Sequence, residues 1–391
     1  MLSIFIYMVW ASMLSLYFRG IFNHLPLISD HSEEAVAVCF IISALLALPA
    51  FIDKLILADY LFYLVCVSYY ISCYIFFPDN SAVLTENVIT CIFCVYTYYF
   101  IGRVIDIDKH FNILVVISAI CIYMDLYYYL IYAPSNKVMD EVADYDNMFA
   151  AYQALPHVAF LLWATMEKFQ FWKAITFILG VLFLLSCGTR GPLACLAFFG
   201  VFYFFFHMNF TGAIYIKIAI ITTLLIIIAN LKFIIFHLVK TFTGLQLSTR
   251  ILEKFITGDI GNDSYRGVLR DKLYAIMERS ENFWGLGAFG TANYDIVYPH
   301  YLPLEFICTF GYFVGLILLF LLALFIGGAF WIARGSKSQI FISFLFSISI
   351  IKLMFSNSFF LEPYFYLLLG LCAKEVFIWH TESSRNKKRL L

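Results

Sequence analysis

The chain has 391 residues, 63% of them hydrophobic, 20% aromatic and 13% charged, with a formal net charge of −1 and a mean hydropathy of +0.88. A water-soluble domain is roughly half apolar and about a quarter charged, so one soluble core cannot bury this much apolar surface; the bilayer is the natural solvent. The near-zero charge offers no field to gather nucleic acid or an acidic partner.

Windows of about 19 residues, enough to cross roughly 30 Å of hydrocarbon, predict about twelve spans. They fall near 1–18, 35–52, 58–77, 83–102, 111–132, 149–166, 173–187, 192–207, 213–236, 301–331, 339–358 and 363–380. The first has no Lys or Arg ahead of its apolar run and no small-x-small cleavage pattern, so it reads as a retained helix. The seventh and eighth are short and separated by Gly188-Thr189-Arg190-Gly191, which also allows a broken hairpin. The tenth is long enough to be tilted or to begin outside the membrane.

Lys and Arg in short loops set the orientation. With the N-terminus inside, the inner loops carry Lys54, Arg103 with Lys109, Lys168 with Lys173, and Arg334 with Lys337, and the basic tail Arg385-Asn386-Lys387-Lys388-Arg389 is also inside. The first three outer loops carry only Arg19 and Lys137. The predicted fold is an all-α, polytopic transmembrane helical bundle with both ends in the cytoplasm. It divides into spans 1–9 (1–236), an outer loop domain (237–300), and spans 10–12 with the basic tail (301–391).

The outer loop is mostly helical by pattern. A weak helix is predicted over Ser248–Ile256. A second begins at Asn262-Asp263-Ser264, whose side chains accept from free N–H groups, and ends near Glu281. Its apolar positions are Tyr265, Val268, Leu269, Leu273, Ile276 and Met277; Arg266 and Arg270 sit one turn apart and project together. Gly285-Leu286-Gly287-Ala288-Phe289-Gly290 permits tight turns and close backbone approach. Lacking a strand before it and a helix directly after, it is not a dinucleotide fingerprint. Pro299-His300 precedes the tenth span.

Cys91 and Cys94 lie in an apolar run and read as packing. Neither a metal-ligand spacing nor an acidic pair beside the basic residues is present. Asp125, His157, Lys217, Lys232 and Lys352 lie within or near spans, where charge is costly and functional by default. Lys217 and Lys232 are close enough to helix ends to snorkel; Asp125 and Lys352 line a cavity or pair with another helix. Asp140, Glu141, Asp144 and Asp146 read as a solvated outer loop.

Several of these residues together resemble a known family. Leu185-Ser186-Cys187-Gly188-Thr189-Arg190-Gly191-Pro192 resembles the S-x-G-T/S-R-G segment of the O-antigen polymerase and O-antigen ligase family. Ser264-Tyr265-Arg266, then Gly285-Leu286-Gly287, then Pro299-His300-Tyr301-Leu302-Pro303-Leu304-Glu305 is similar to that family's R…G-x-G…H-N-x-x-L-E signature, and Gly311-Tyr312-Phe313-Val314-Gly315 matches the helix that follows. The motifs cover about residues 174–320; the remainder agrees only in topology and span count. The sequence departs from the pattern at Tyr301, where the family usually has Asn; Tyr both donates and accepts hydrogen bonds.

The resemblance implies a bacterial inner-membrane, metal-independent, inverting glycosyltransferase with no cofactor, facing the periplasm. Its implied partners are a polyprenyl-diphosphate-linked glycan donor and acceptor and membrane lipid, with a chain-length regulator and a flippase beside it, and no nucleic acid. Polymerases join repeat units; ligases pass the finished chain to lipid A–core. The leaving diphosphate calls for permanent, planar positive charge, which assigns Arg190 and Arg266. An acceptor hydroxyl needs a base near neutral pH, which assigns His300. Arg270, Tyr301, Gly285 and Gly287 are assigned to substrate binding, the two glycines by shaping the loop; Glu305 is expected to be a buried partner and not an acid catalyst. A glycolipid flippase is the competing class, but no internal repeat supports it, and the large outer loop is asymmetric.

Overall fold

The computed structural model describes residues 38, 52–127, 143–207, 230–244, 249–257, 266–279 and 284–390. These are α-helical apart from short 3-10 and π turns and connecting loops, with no strand among them. In chain order the helices are α1 Leu57–Phe76, α2 Ser81–Ile92, α3 Tyr99–Val104, α4 Ile107–Tyr127, α5 Ala143–Glu167, α6 Phe171–Ser186 and α7 Arg190–Phe206. Then follow α8 Leu231–Gly244, α9 Arg250–Thr257, α10 Arg266–Arg279, α11 Leu302–Phe310, α12 Tyr312–Ile332, α13 Lys337–Phe346 and α14 Pro363–Leu390. A π turn at Phe93–Tyr98 carries α2 into α3. The expected span 1–18, nearly all of 35–52, most of 213–236 with Lys217, the loop residues Asp140 and Glu141, and the helix start at Asn262-Asp263-Ser264 with Tyr265 lie outside the described residues.

Among the described residues four helices are long and apolar enough to cross a bilayer: Leu57–Phe76, Pro78–Val104, Ile107–Tyr127 and Tyr312–Ile332. The last, 21 residues long, rises about 31 Å at 1.5 Å per residue. It corrects the expectation of one span over 301–331. The run breaks at Gly311 (φ +83°), so α11 is a separate short helix and α12 alone has the length and apolarity for a crossing. The apolar helix over the expected eleventh span is Lys337–Ile351, shorter than 339–358, and an irregular segment leads from it into α14. At the end of the expected span 213–236 a helix begins at Leu231 and continues to Gly244, with Phe242 buried beside Ile235 and Leu252.

The chain folds as two compact units, 1–108 with 264–391, and 109–263. In the first, α1 and α2–α3 form a hairpin turned at Pro78-Asp79-Asn80. Tyr63 stacks on Tyr96 at 4.3 Å and Phe62 on Tyr99 at 4.4 Å. Helix α3 meets α14 backbone to backbone. A Cβ on Gly102 would fall 2.2 Å from the Leu367 carbonyl oxygen, and one on Gly370 2.0 Å from that of Tyr99. Such contact gains dispersion energy where lipid leaves no hydrophobic drive between helices.

At this end of the hairpin Asp59 and Arg103 are both buried. Asp59 Oδ1 accepts from Arg103 Nε and from the Tyr99 hydroxyl, each at 2.8 Å, and Oδ2 accepts from the Ile56 amide at 3.0 Å. Removing one member of a buried pair strands the other, so Asp59→Ala should cost about 3–5 kcal/mol. Asp59→Ala with Arg103→Met should recover much of it. Thermal unfolding in detergent checks both; equal losses in single and double variants would mean the pair is not what holds this end.

In the second unit α5 is the central helix. Leu155, Val158, Phe160, Leu161 and Trp163 are buried, with Phe111 and Phe160 rings 4.9 and 5.1 Å from Trp163. Gly180 of α6 rests on Val158, and Gly191 at the start of α7 rests on the Tyr152 hydroxyl. His157 of α5 is fully buried with Nδ1 3.2 Å from Ser118 Oγ of α4, and Asp125 of α4 lies near Cys121 and Cys187. Helices α6 and α7 are joined by Cys187-Gly188-Thr189, with Gly188 at φ +69°.

Candidate functional site

The first unit assembles its site from α10, the 284–301 loop, the start of α11 and the 352–362 turn. The predicted amphipathic helix forms over Arg266–Arg279. Leu273 and Met277 join Leu286, Ile296, Leu304, Ile307 and Cys308 in a small core, flanked by Leu269, Ile276 and Tyr301. Val268, expected on the apolar face, is exposed instead. Lys272 Nζ donates to the Tyr294 carbonyl at 2.7 Å and ties α10 to the loop.

Asn80, in the turn between α1 and α2, is the loop's second anchor. Its buried amide donates to the carbonyls of Leu286 (2.8 Å) and Ala288 (3.1 Å) and accepts from Asn293 Nδ2 (2.6 Å). The Leu286 amide donates to the Cys308 carbonyl at 2.6 Å. Sequence periodicity does not reveal Asn80; its only local signal is the Pro-Asp-Asn-Ser turn.

The two loop glycines have distinct reasons. Gly285 (φ +81°) would place a Cβ 2.5 Å from the Gly311 amide nitrogen and 2.7 Å from the Cys308 carbonyl oxygen. Gly287 (φ +74°) would place one 2.6 Å from the Phe77 ring. Backbone cannot move as a ring can. Gly285→Ala should therefore cost more than the roughly 1–2 kcal/mol of the left-handed conformation alone, and more than Gly287→Ala. Thermal midpoints of the two variants test the order.

These contacts bring four predicted site residues together. Arg270 lies over the Tyr301 ring, its Cζ 5.9 Å from the centroid. His300 adopts φ +55°, uncommon without a glycine. Its ring lies 4.4 Å from that of Tyr298, and its Nδ1 lies 3.3 Å from the Phe355 carbonyl oxygen. A carbonyl only accepts, so Nδ1 carries the proton and Nε2 keeps a lone pair. Burial and the nearby charge of Arg266 push the His300 pKa below its ordinary value, against a smaller upward pull from the Phe355 carbonyl. The imidazole is thereby held neutral at pH 7, as a base requires.

Glu305 is buried, as expected, and accepts from the Ser358 hydroxyl and, at 3.3 Å, from the Phe359 amide. Lys352, left without a partner by sequence, has Nζ 2.6 Å from buried Glu362 Oε2. Arg190 opens α7 in the other unit, with Thr189 as the residue before the helix. The first turn presents backbone N–H groups and the positive end of the helix dipole beside that guanidinium, an arrangement suited to anions.

Beside the 284–301 loop the first unit also holds an apolar groove of about 1040 Å³. Phe62, Tyr69 and Phe77 line it together with Trp284, Phe310 and Phe325. Phe306 of α11 and Phe359–Phe360 of the turn line it as well, so the groove shares its walls with the segments that hold His300. Among the described residues no three His, Cys, Asp or Glu side chains are grouped to hold a metal ion. Compared with models of protein families, with curated proteins and with solved structures, the chain matches none.

Proposed function

We propose that this protein is a multi-pass inner-membrane glycosyltransferase, crossing about twelve times with both ends in the cytoplasm. It joins polyprenyl-diphosphate-linked repeat units into O-antigen or a related surface polysaccharide on the periplasmic face. The observation that carries this reading is the meeting of Arg266, Arg270, His300 and Tyr301, beside a groove lined by aliphatic and aromatic side chains. Support for the sidedness comes from the two ends of the first unit. Arg103, Lys337 and Lys374 gather at one, where Lys374 donates to the Ile105 carbonyl and Lys337 pairs with Asp108. Asn80 and the loop are at the other end of the α1–α2 hairpin.

The chemistry follows from the groups. The groove takes the isoprenoid tail and leaves the diphosphate at the polar boundary. Arg266 and Arg270 bind the diphosphate and stabilise the charge that grows on it as its bond to the anomeric carbon breaks. Nε2 of His300 removes the acceptor hydroxyl proton while that oxygen bonds to the anomeric carbon from the opposite face, which inverts its configuration.

Deleting the gene and reading the surface glycan tests the proposal. A polymerase defect leaves lipopolysaccharide capped with a single repeat unit. Bare core with accumulated lipid-linked chains would indicate a ligase instead, and single units trapped on the cytoplasmic side a flippase.

A further inference from the structure

The turn that receives His300 is clamped by two buried carboxylates that the reaction above does not use. Glu305 holds it from α11, with both carboxylate oxygens committed: one to the Ser358 hydroxyl and the other to the Phe359 amide at 3.3 Å. Ser358 Oγ in turn accepts from the Phe360 amide at 3.3 Å, which starts the short 3-10 turn Phe359–Leu361. Glu362 holds the other flank, accepting from Lys352 Nζ at 2.6 Å and Asn357 Nδ2 at 2.9 Å. Asn357 is itself in the left-handed region, at φ +70°, with its Oδ1 accepting from the Ser358 amide at 2.9 Å. Irregular backbone of this kind persists in a membrane protein only where protein satisfies its polar groups. The result is a turn held on both flanks that presents the Phe355 carbonyl 3.3 Å from His300 Nδ1.

We infer that Glu305 is a positioning residue: by anchoring Ser358 and Phe359 it fixes the turn whose Phe355 carbonyl holds His300 in the Nδ1–H tautomer, with Nε2 bare toward the acceptor sugar. The inference rests on His300 as the base of the proposed transfer. Without the carbonyl in place either ring nitrogen can carry the proton, and the Nε2–H form has no lone pair to offer there. A base held in the wrong tautomer loses rate without losing substrate affinity.

The test uses the full chain in nanodiscs, labelled with 15N-histidine, and reads the two ring nitrogens of His300 at a pH where the ring is neutral. Its signals among the eight histidines are those that vanish in His300→Gln. The intact chain should show a protonated Nδ1 and an unprotonated Nε2. Ser358→Ala and Glu305→Gln should both populate the Nε2–H form. Both should also slow elongation at saturating donor by about ten- to a hundredfold, with the donor KM unchanged. Ser358→Ala deletes only a hydroxyl, so it carries the test if Glu305→Gln fails to fold, as judged by its thermal midpoint. Wild-type nitrogen signals in a folded variant, or an Nε2–H form in the intact chain, would overturn the inference. The proposed reaction fails separately: full elongation by His300→Ala removes the base, whatever the nitrogen spectra show.

Discussion

Replacing His300 with Ala should lower the elongation rate by about 10²–10⁴-fold, the range that a positioned base contributes, with little change in donor KM. The pH profile carries more information than the rate. Burial and Arg266 hold the folded pKa of His300 below its ordinary value, which is about 6.5 for the side chain in the unfolded chain. Activity should therefore be level through neutrality and fall only as the pH drops below about 6.5. Stability follows the same sign. In that acid window the unfolded chain binds a proton at His300 that the native state resists, so the contribution of the neutral ring is present above the unfolded pKa and lost as pH falls through the folded one. Elongation assays from acid to neutral pH, beside thermal midpoints over the same series, check both. Undiminished elongation by His300→Ala would discard the base.

Removing the Arg266 guanidinium should have an effect of similar size, for a different reason. Losing one group that stabilises developing charge costs about 10²–10³-fold, and Arg266→Ala is expected to fall there. Arg266→Lys should recover only part, since an ammonium cannot clamp two phosphate oxygens in one plane. Arg270→Ala should lose less, because its guanidinium also rests on Tyr301. The diagnostic effect is on the acid limb. Arg266 is one of the causes that depress His300, so Arg266→Gln should move the residual limb upward toward the ordinary histidine value. A limb that stays in place while the rate falls would mean that Arg266 acts on the donor alone and lies electrostatically apart from the base.

How much of this was legible depended on whether the signal was local. Helices α1, α4, α6 and α7 follow their hydropathy windows within a few residues, because a span must be apolar along its whole length to sit in lipid. Helix α10 was readable from its spacing of Leu269, Leu273, Ile276 and Met277, although Val268 faces outward. The break at Gly311 was hidden because residues on both sides are apolar, and hydropathy does not register a φ of +83°. The 352–362 turn was read as the end of a span for a related reason. Its Phe355, Phe359 and Phe360 carry the apolar signal, while Asn357, Ser358 and Glu362 find partners that no window can see. Asp59 was placed inside a span and Arg103 in a loop; their pairing joins positions 44 apart. For the site, the order of motifs named Arg266 and His300, the departure from the motif marked Tyr301, and one-turn spacing from Arg266 gave Arg270; none of these gave the Asn80 anchor or the Phe355 carbonyl, whose roles exist only after folding.

The first unit is sewn from the two ends of the sequence, 1–108 and 264–391, around a middle that forms a unit of its own. The ribosome releases the early half long before its counterpart exists. Gly102 waits for α14, made much later, whose Gly370 backbone fills the space against α3 and whose Phe377 ring lies under Arg103. Until then that surface is a vacancy a membrane chaperone or quality-control protease can sense. A stop codon just before Pro363 should thus do far more than trim a tail: it should leave the newborn α1–α3 hairpin without its mate and shorten the lifetime of the entire polypeptide, as pulse-chase labelling would reveal.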